Sequence, residues 1–423
     1  MKLATIVTER LQQLKLFASQ PGSAEEMVDE FAQAWRELGC QIIQQQLQEQ
    51  LESAESKHSG SRQRRSKHYH TPLGTITLTR RVYGSKGGQC LGDQSLELPS
   101  NGWFRSVEEL SCGLGVTSEF AHANRLLTRW SGIELSEKTL ANHVEQLGLE
   151  LIESGVDAGG EGICPVVSSV SAATVPSPER PIFYVGADGI HTPMRQGGTQ
   201  EAKVGVMFWA SEHWQLSKTR AMIRQREYVA TLDKVSDFRE RLNRCYAQTV
   251  KDYPHQVVFL GDGAPWIWLM ANLLFPDSIQ ILDFFHVSEY LWEVARSAFV
   301  DQDNHQKEWV DTQQDALKHS QWQAVVRAAQ RLPPGARNLP EKVSRLVSYL
   351  TNNQTRIDYQ AYLAQGLMIG SGVVESSNRR IVTVRLKQSG MFWSTKGAEA
   401  VMQLRACYLS SSNRWQNFWS KCT

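Results

Sequence analysis

Two aspartates close apolar runs in this sequence: Asp188 ends IFYVGAD, Asp262 ends QVVFLGD, and a glycine follows each. An aspartate at the carboxyl end of a buried strand points into the crevice where α/β sheets bind ligands. The glycine behind it lets the backbone turn and lets a substrate or ion come close. One such aspartate is an ordinary helix cap. Two of them on successive strands form a carboxylate pair, and like charges a few ångströms apart stay ionised together only beside a cation. Oxygen-only ligands suit Mg2+ or Mn2+. A third carboxylate is expected where a later helix starts at the same crevice, and IGSGVVESSNRR supplies Glu375 behind Gly370 and Gly372. Asn378 and Arg379 follow three and four residues on, hence on the same helix face. A plain Glu375–Arg379 surface pair, worth about 0.5 kcal/mol, is the alternative. The glycine-flanked loop and the acid-free surroundings favour the site.

These carboxylates need elements to hold them. Strands are expected at 182–188, 203–211, 219–223, 256–262 and 279–285, with helices from about Tyr228 to Val250, around Trp266 to Leu274 and from about Ser288. The order β-β-β-α-β-α-β-α implies a mixed sheet with covering helices, the order of ribonuclease-H-like domains. Residues 300–365 read as an all-helical insertion, so the catalytic domain comprises 181–299 and 366–423. Residues 154–180 are small, proline-containing and low in complexity, and read as a linker. Ahead of it, residues 1–55 are helical, with Met27, Phe31, Trp35 and Leu38 at helical spacing, and the run QQQLQEQLESAES continues as a solvated or self-associating helix. The expected class is α+β or α/β: a ribonuclease-H-like catalytic domain with a helical insertion, behind a largely helical DNA-binding region.

The formal net charge of +1 hides segregation. Lys57 to Lys86 holds eight Lys or Arg and no acid, and Asn378 to Lys396 holds five, again with none. Such patches matter more than net charge when the partner is a polyphosphate. Within region 56–153, Arg62, Arg64, Arg65 and Lys67 lie in a Ser/Gly-containing arm expected to be flexible, and Thr75 to Tyr83 alternates as a strand or hairpin arm. The piece ANRLLTRWSGIELSEKTLANHVEQLG has the form of a helix-turn-helix, broken at Ser131-Gly132 and capped at Ser136. In that form Lys138, Thr139, Asn142 and His143 reach base edges; a plain helical hairpin explains the pattern equally well. Trp266, Trp268, Trp393, Trp415 and Trp419 suit core packing better than base stacking. Seven scattered cysteines without a CxxC pair argue against a disulfide framework and a zinc site. No run of 18 apolar residues suggests a membrane span, and the amphipathic N-terminus does not read as a signal peptide, so a cytosolic protein is expected. No phosphate loop or GxGxxG precedes a helix.

As a set, GADGIHTP, GDGAPW, ILDFFHV and IGSGVVESSNRRIVTVRLKQSGMFWSTKGAEAVMQLRA resemble the motifs of bacterial insertion-sequence transposases of the ISKra type, distant relatives of the Mutator-like group. TPLGTITLTRRVY and LELP resemble that family's N-terminal half, so the likeness runs from about residue 68 to 410. The resemblance implies a DDE triad of Asp188, Asp262 and Glu375 holding two Mg2+ (or Mn2+) ions. It also matches Asp283 and His286 to an Asp-x-x-His signature, although Asp283 reads equally well as a helix cap, and Lys203 to an accessory position. The activity it implies is binding of terminal inverted repeats, strand cleavage and strand transfer, with Arg379, Arg380, Arg385 and Lys387 beside the DNA backbone. Partners are then DNA and at least one further copy of the chain, with no membrane, in the bacterial cytoplasm at the nucleoid. One departure is Cys90, which stands alone where relatives often carry paired cysteines. The competing expectations are a catalytically silent DNA-binding descendant and a ribonuclease-H-like nuclease without transposition.

Overall fold

The computed structural model describes residues 8, 9, 12, 23–58, 63–83, 88–156, 180–217, 220–370 and 372–420. The chain divides into two compact units, Met1–Leu147 and Gly148–Thr423. That division falls ahead of the segment expected as a linker, of which 157–179 lie outside the described residues. Among the described residues no helix is long and apolar enough to cross a membrane.

In the first unit, helix α1 (Ala24–Ser56) starts at a capping box: the Ser23 side chain accepts from the Glu26 N–H, and the Glu26 carboxylate accepts from that of Ser23. It lies along the hairpin of β1 (Gln63–Thr71) and β2 (Gly74–Val82), whose core is Leu51, Tyr69, Ile76, Leu78 and Leu98. The glutamine-rich run has a definite task. Gln44 accepts from the Thr77 N–H at 2.9 Å, Gln48 accepts from the Thr79 N–H and donates to its carbonyl, and Glu55 accepts from the Arg81 N–H at 2.7 Å. Residues 77, 79 and 81 are those whose backbone faces away from β1. Four residues of helix rise about 6 Å and two of strand about 6.7 Å, so Gln44 and Gln48, one turn apart, match Thr77 and Thr79. The helix thereby closes an open strand edge. Three further helices complete the unit: α2 (Leu91–Ser95), α3 (Arg105–Thr117) and α4 (Phe120–Ser131), with α5 (Glu137–Ser154) beginning in it. α4 ends at Gly132, in the left-handed region at φ 71°, and Ser136 accepts from the Thr139 N–H at the start of α5. The helix-turn-helix outline of the sequence is therefore present as two helices and a short turn.

The second unit is mixed α and β. Its five-stranded sheet runs β7-β4-β3-β8-β9, from β3 (Ile182–Pro193), β4 (Thr199–Trp209), β7 (Glu227–Thr231), β8 (Gln256–Gly261) and β9 (Ile279–Leu282). β3 pairs antiparallel with β4, and β4 with β7, whereas β3, β8 and β9 run parallel. Here the structure corrects the sequence reading. The third strand of the sheet is Glu227–Thr231, assigned above to a helix. TRAMI instead falls in β6 (Arg220–Ile223), which pairs only with β5 (His213–Ser217) in a separate hairpin. EYVAT is wholly buried, so period-2 alternation gives no signal.

Both faces of the sheet are covered. Gly186 of β3 takes Val374 of α13 (Gly372–Asn378), where a Cβ would stand 2.4 Å from Val374 Cγ2. On the opposite face Gly205 takes Leu242 and Phe238 of α6 (Val235–Val250). Between them in sequence come α7 (Pro265–Leu274), α8 (Phe284–Ala298), α9 (Asp303–Lys318), α10 (Trp322–Gln330), α11 (Leu339–Asn352) and α12 (Tyr359–Ala364). α14 (Thr395–Leu409) and α15 (Arg414–Ser420) follow α13. Helices α9 to α12 occupy the stretch expected as an insertion.

The two sheet edges are closed as β2 is. Along β7, Ser410 and Ser411 accept from the N–H groups of Tyr228 and Arg226, Gln403 donates to the Ala230 carbonyl, and Glu399 accepts from the Leu232 N–H. Arg414, fully buried, donates to the Tyr228 carbonyl at 2.8 Å and pairs with Glu227 at 3.0 Å. Along β9 the hydroxyls of Tyr359 and Tyr362 donate to the carbonyls of Leu282 and Gln280, at 3.0 and 3.3 Å. Gln48→Ala strands two backbone groups of Thr79 and should cost about 1–2 kcal/mol. Gln50→Ala on the exposed face should stay within about 0.5 kcal/mol of wild type. Chemical denaturation of the full chain with amide exchange at Thr79 checks this; unchanged exchange in Gln48→Ala would show that the helix does not close the edge.

Candidate functional site

The carboxylate pair follows from strand register. β3 and β8 are aligned with Gly186 beside Leu260 and Ala187 beside Gly261, and the next step of that ladder sets Asp188 beside Asp262. Asp188 does not end its strand, as the sequence suggested, because β3 continues to Pro193 against β4. It stands where the pairing with β8 stops. Gly189 accordingly makes no turn: it lies within the strand, and a Cβ there would stand 2.4 Å from Oε1 at the free end of the Glu201 side chain, which can swing aside.

Asp188 shares a face with Gly186, two residues before it, and α13 lies along that face. Val374 sits on Gly186, and Asn378, one turn later, donates through Nδ2 to Asp188 Oδ2 at 2.5 Å. Asp188 Oδ1 accepts from the Gly189 N–H. Burial first, and the Asp262 charge second, raise its carboxyl to about 6; Gly189, His286 and Asn378 pull the other way. Asp262 Oδ1 accepts from the Ala264 N–H across a turn in which Gly263 has φ 98°. The amide oxygen of Asn378, Oδ1, is buried with no protein partner. Two facing carboxylates and an orphaned amide oxygen make an oxygen-only donor set, which fits a hard divalent cation.

Glu375 lies in the first turn of α13, exposed, one turn from Asn378. It forms no ion pair with Arg379 or any other described residue, so the plain surface-pair alternative is absent. Among the described residues no three His, Cys, Asp or Glu side chains stand close enough together to hold a metal ion. Asp188 and Asp262 are together, and Glu375 is not gathered with them.

The accessory residues divide. His286, in the first turn of α8, is close enough for its charge to lower the Asp188 carboxyl, and its Nδ1 is 3.1 Å from Glu289. Asp283 is the buried cap of α8, accepting from the Phe285 N–H at 2.9 Å. Lys203 pairs with Gly189 in register and so faces the side of the sheet opposite Asp188; its Nζ is 3.6 Å from Glu201. That corrects its accessory assignment.

Among the expected DNA contacts, Arg379, Arg380 and Lys387 are exposed, but Arg385 is wholly buried with its guanidinium over Trp393. The cause is a π-helical segment, Arg379–Thr383, which breaks the α spacing behind α13. Trp268, Trp393, Trp415 and Trp419 are buried and Trp266 half-buried against Phe238, in keeping with core roles.

In the first unit, Arg62 lies outside the described residues. Arg64 and Arg65 sit on a strand rather than a flexible arm, directly opposite Arg81 and Arg80. Like charges so placed repel. Asp93 neutralises Arg80 at 2.5 Å and Glu55 lies 3.6 Å from Arg81, while Arg64 and Arg65 have no acidic partner among the described residues. Lys67 is corrected: its ammonium donates to the carbonyls of Pro99 and Ser100 and caps the Tyr69 ring, so it is spent on the fold. Lys138 and Asn142 are exposed one turn apart at the start of α5, and Thr139 is occupied by the Ser136 cap. His143 is no base reader; it stacks on Trp103 at 3.8 Å, and burial lowers it to about 4. Cys90 is free, with no metal-ligand group around it among the described residues.

No curated protein matches the sequence. A family model matches residues 22–422, nearly the whole chain. The chain therefore belongs to the family described as uncharacterised protein family UPF0236.

Proposed function

We propose that the chain is a DDE-type DNA transposase with a ribonuclease-H-like catalytic domain, which binds terminal inverted repeats and cuts and joins DNA strands. The observation that carries this reading is the Asp188–Asp262 pair, one step past the end of the parallel β3–β8 ladder, with the Asp188 carboxyl raised by burial and by its neighbour. Asp188 and Asp262 would hold Mg2+ or Mn2+, and Glu375, without an ion pair among the described residues, is the carboxylate available as the third ligand. Bound divalent ions supply Lewis-acid activation of the attacking hydroxyl and neutralise charge on the phosphate.

The chain's own residues do the rest. Asn378 fixes the orientation of Asp188. Arg379 and Arg380, exposed directly behind α13, would hold phosphates; Arg64 and Arg65 would serve the backbone elsewhere, and Lys138 and Asn142 would read bases. Joining two ends calls for at least two copies of the chain, working at the bacterial nucleoid. A catalytically silent DNA-binding descendant is the second reading, and the exposed Glu375 standing apart from both aspartates favours it. Asp188→Asn, Asp262→Asn and Glu375→Gln should each abolish Mg2+-dependent nicking and joining of terminal-repeat DNA while leaving its binding intact. Robust cleavage by Glu375→Gln removes it from the triad; no cleavage by wild type selects the silent reading, and cleavage without joining selects a nuclease.

The carboxylate pair sets a pH dependence. In the folded, metal-free chain Asp188 keeps its proton to about 6, against about 3.9 for an unfolded aspartate. The folded state binds that proton more tightly, so the contribution to stability is full below about pH 4 and is lost as pH rises through about 6. A divalent ion must displace the proton, so Mn2+ affinity should climb with pH up to and through 6 and then level. In Asp262→Asn binding should be weaker and its rise displaced to lower pH. Calorimetric titrations between pH 5 and 8 test this, and a flat wild-type profile contradicts it.

DNA contacts should separate by type. Neutralising Arg64 and Arg65 should weaken binding to every sequence alike and reduce the salt slope by about 0.9 for each phosphate no longer neutralised. Asn142→Ala should cost about 1–3 kcal/mol on the cognate repeat and little on scrambled DNA. Titrations at several salt concentrations on both duplexes decide; a sequence-selective loss from the arginine variant overturns the assignment.

A further inference from the structure

The turn carrying Asp262 is held from outside the sheet. Tyr349 of α11 donates its hydroxyl to the Asp262 main-chain carbonyl at 2.5 Å, across 87 residues of sequence. Its ring lies against Gly263, where a Cβ would stand 2.6 Å from Tyr349 Cε2, so the turn needs glycine both for φ 98° and for this contact. The ring is itself fixed. It stacks on Tyr290 of α8 at 4.4 Å and 18°, and His286 meets it edge-on at 6.1 Å. Lys342 and Arg345, on the same helix, reach Glu293 of α8 at 2.7 and 3.4 Å, and Arg345 covers the Tyr290 ring. Burial, first, raises the Tyr349 hydroxyl well above the usual tyrosine range, and the nearby Asp262 carboxylate adds to this, so the hydroxyl stays a donor.

Tyr359 and Tyr362 make the same kind of bond to β9: Tyr359 to the carbonyl just before Asp283, the cap of α8, and Tyr362 to that of Gln280, an edge-strand residue with no carboxylate beside it. Tyr349 alone of the three lands on a residue of the pair. Among the described residues the Asp262 carboxylate bonds only forward, accepting from Ala264 N–H, so the backbone clamp decides where the carboxylate can stand relative to Asp188.

We infer that Tyr349 is a positioning residue for Asp262, through which the helical insertion controls the geometry of the carboxylate pair. The inference rests on the reading of Asp188 and Asp262 as a divalent-ion site. A partner that bends or shifts α11 would then act on the site directly, without entering it.

The test uses Mn2+ binding to the full chain, free of DNA, followed by electron paramagnetic resonance. Tyr349→Phe keeps the stack on Tyr290 and the contact with Gly263 and removes only the donor. It should weaken Mn2+ binding about tenfold, the range found when groups behind a metal ligand are removed, with near-ultraviolet circular dichroism unchanged. Tyr362→Phe loses an equivalent bond, to the Gln280 carbonyl, from the same insertion and should bind Mn2+ like wild type. Wild-type affinity in Tyr349→Phe overturns the inference, as does an equal loss in Tyr362→Phe. If Asp262→Asn binds Mn2+ as wild type does, the metal-site reading itself falls, and this inference with it.

Discussion

The strand edges of β2, β7 and β9 present backbone groups that must find partners, and in each case helix side chains supply them. Gln44, Gln48 and Glu55 serve β2; Ser410, Ser411, Gln403, Glu399 and Arg414 serve β7; Tyr359 and Tyr362 serve β9. An unpaired buried N–H or C=O costs about 1–3 kcal/mol, as much as most single contacts contribute, so these helices cannot be displaced cheaply. The choice of side chain follows the need. Glutamine, with both a donor and an acceptor, can answer both groups of one strand residue, as Gln48 does for Thr79. Tyrosine spans the longer distance from a helix axis to an edge and brings apolar area with it.

The same constraint organises the site. A parallel β3–β8 ladder fixes the separation of Asp188 and Asp262 without any side-chain contact between them, and the covering of β9 brings α11 and α12 to that side of the sheet. On the opposite flank of β3, a helix turn matches a strand two-residue step, so Val374 on Gly186 sets Asn378 on Asp188. Packing of apolar groups and orientation of a carboxylate are one event there. His286 and Tyr349 join from a third direction, so the pair is surrounded by three separately anchored elements.

Much of this could be read in the residues. The two apolar runs with Asp-Gly and the helix between them locate the Asp188–Asp262 pair, and the Ser131-Gly132 break and Ser136 cap mark their helices; Glu375 does start a helix behind its glycines but stands apart from the pair. What failed has common causes. EYVAT is buried on both faces and short, so its strand character is hidden by the helix that follows. Lys203 lies one residue from facing Asp188, and strand alternation turns that single step into the opposite side of the sheet. Lys67 and His143 have the right types for DNA contact, but Pro99, Ser100 and Trp103, all distant in sequence, claim them first. Tyr349 carried no signal at all, since its partner is a backbone carbonyl and its neighbours belong to another helix.

The burial of Arg385 is decided in the segment just before it. The π segment Arg379–Thr383 spends about one residue more per turn than an α-helix, which rotates everything after it by about 100°. On one side of this phase shift the helix is aimed by Asn378 at a carboxylate; on the other, Ile381, Val382, Arg385 and Leu386 are aimed at the core. The two halves would be incompatible on a single regular helix. The extra residue acts as a coupling between two angular settings, letting one short stretch of chain answer to the crevice and to the interior at once. A chain shortened by one residue there could satisfy either setting, and would have to surrender the other.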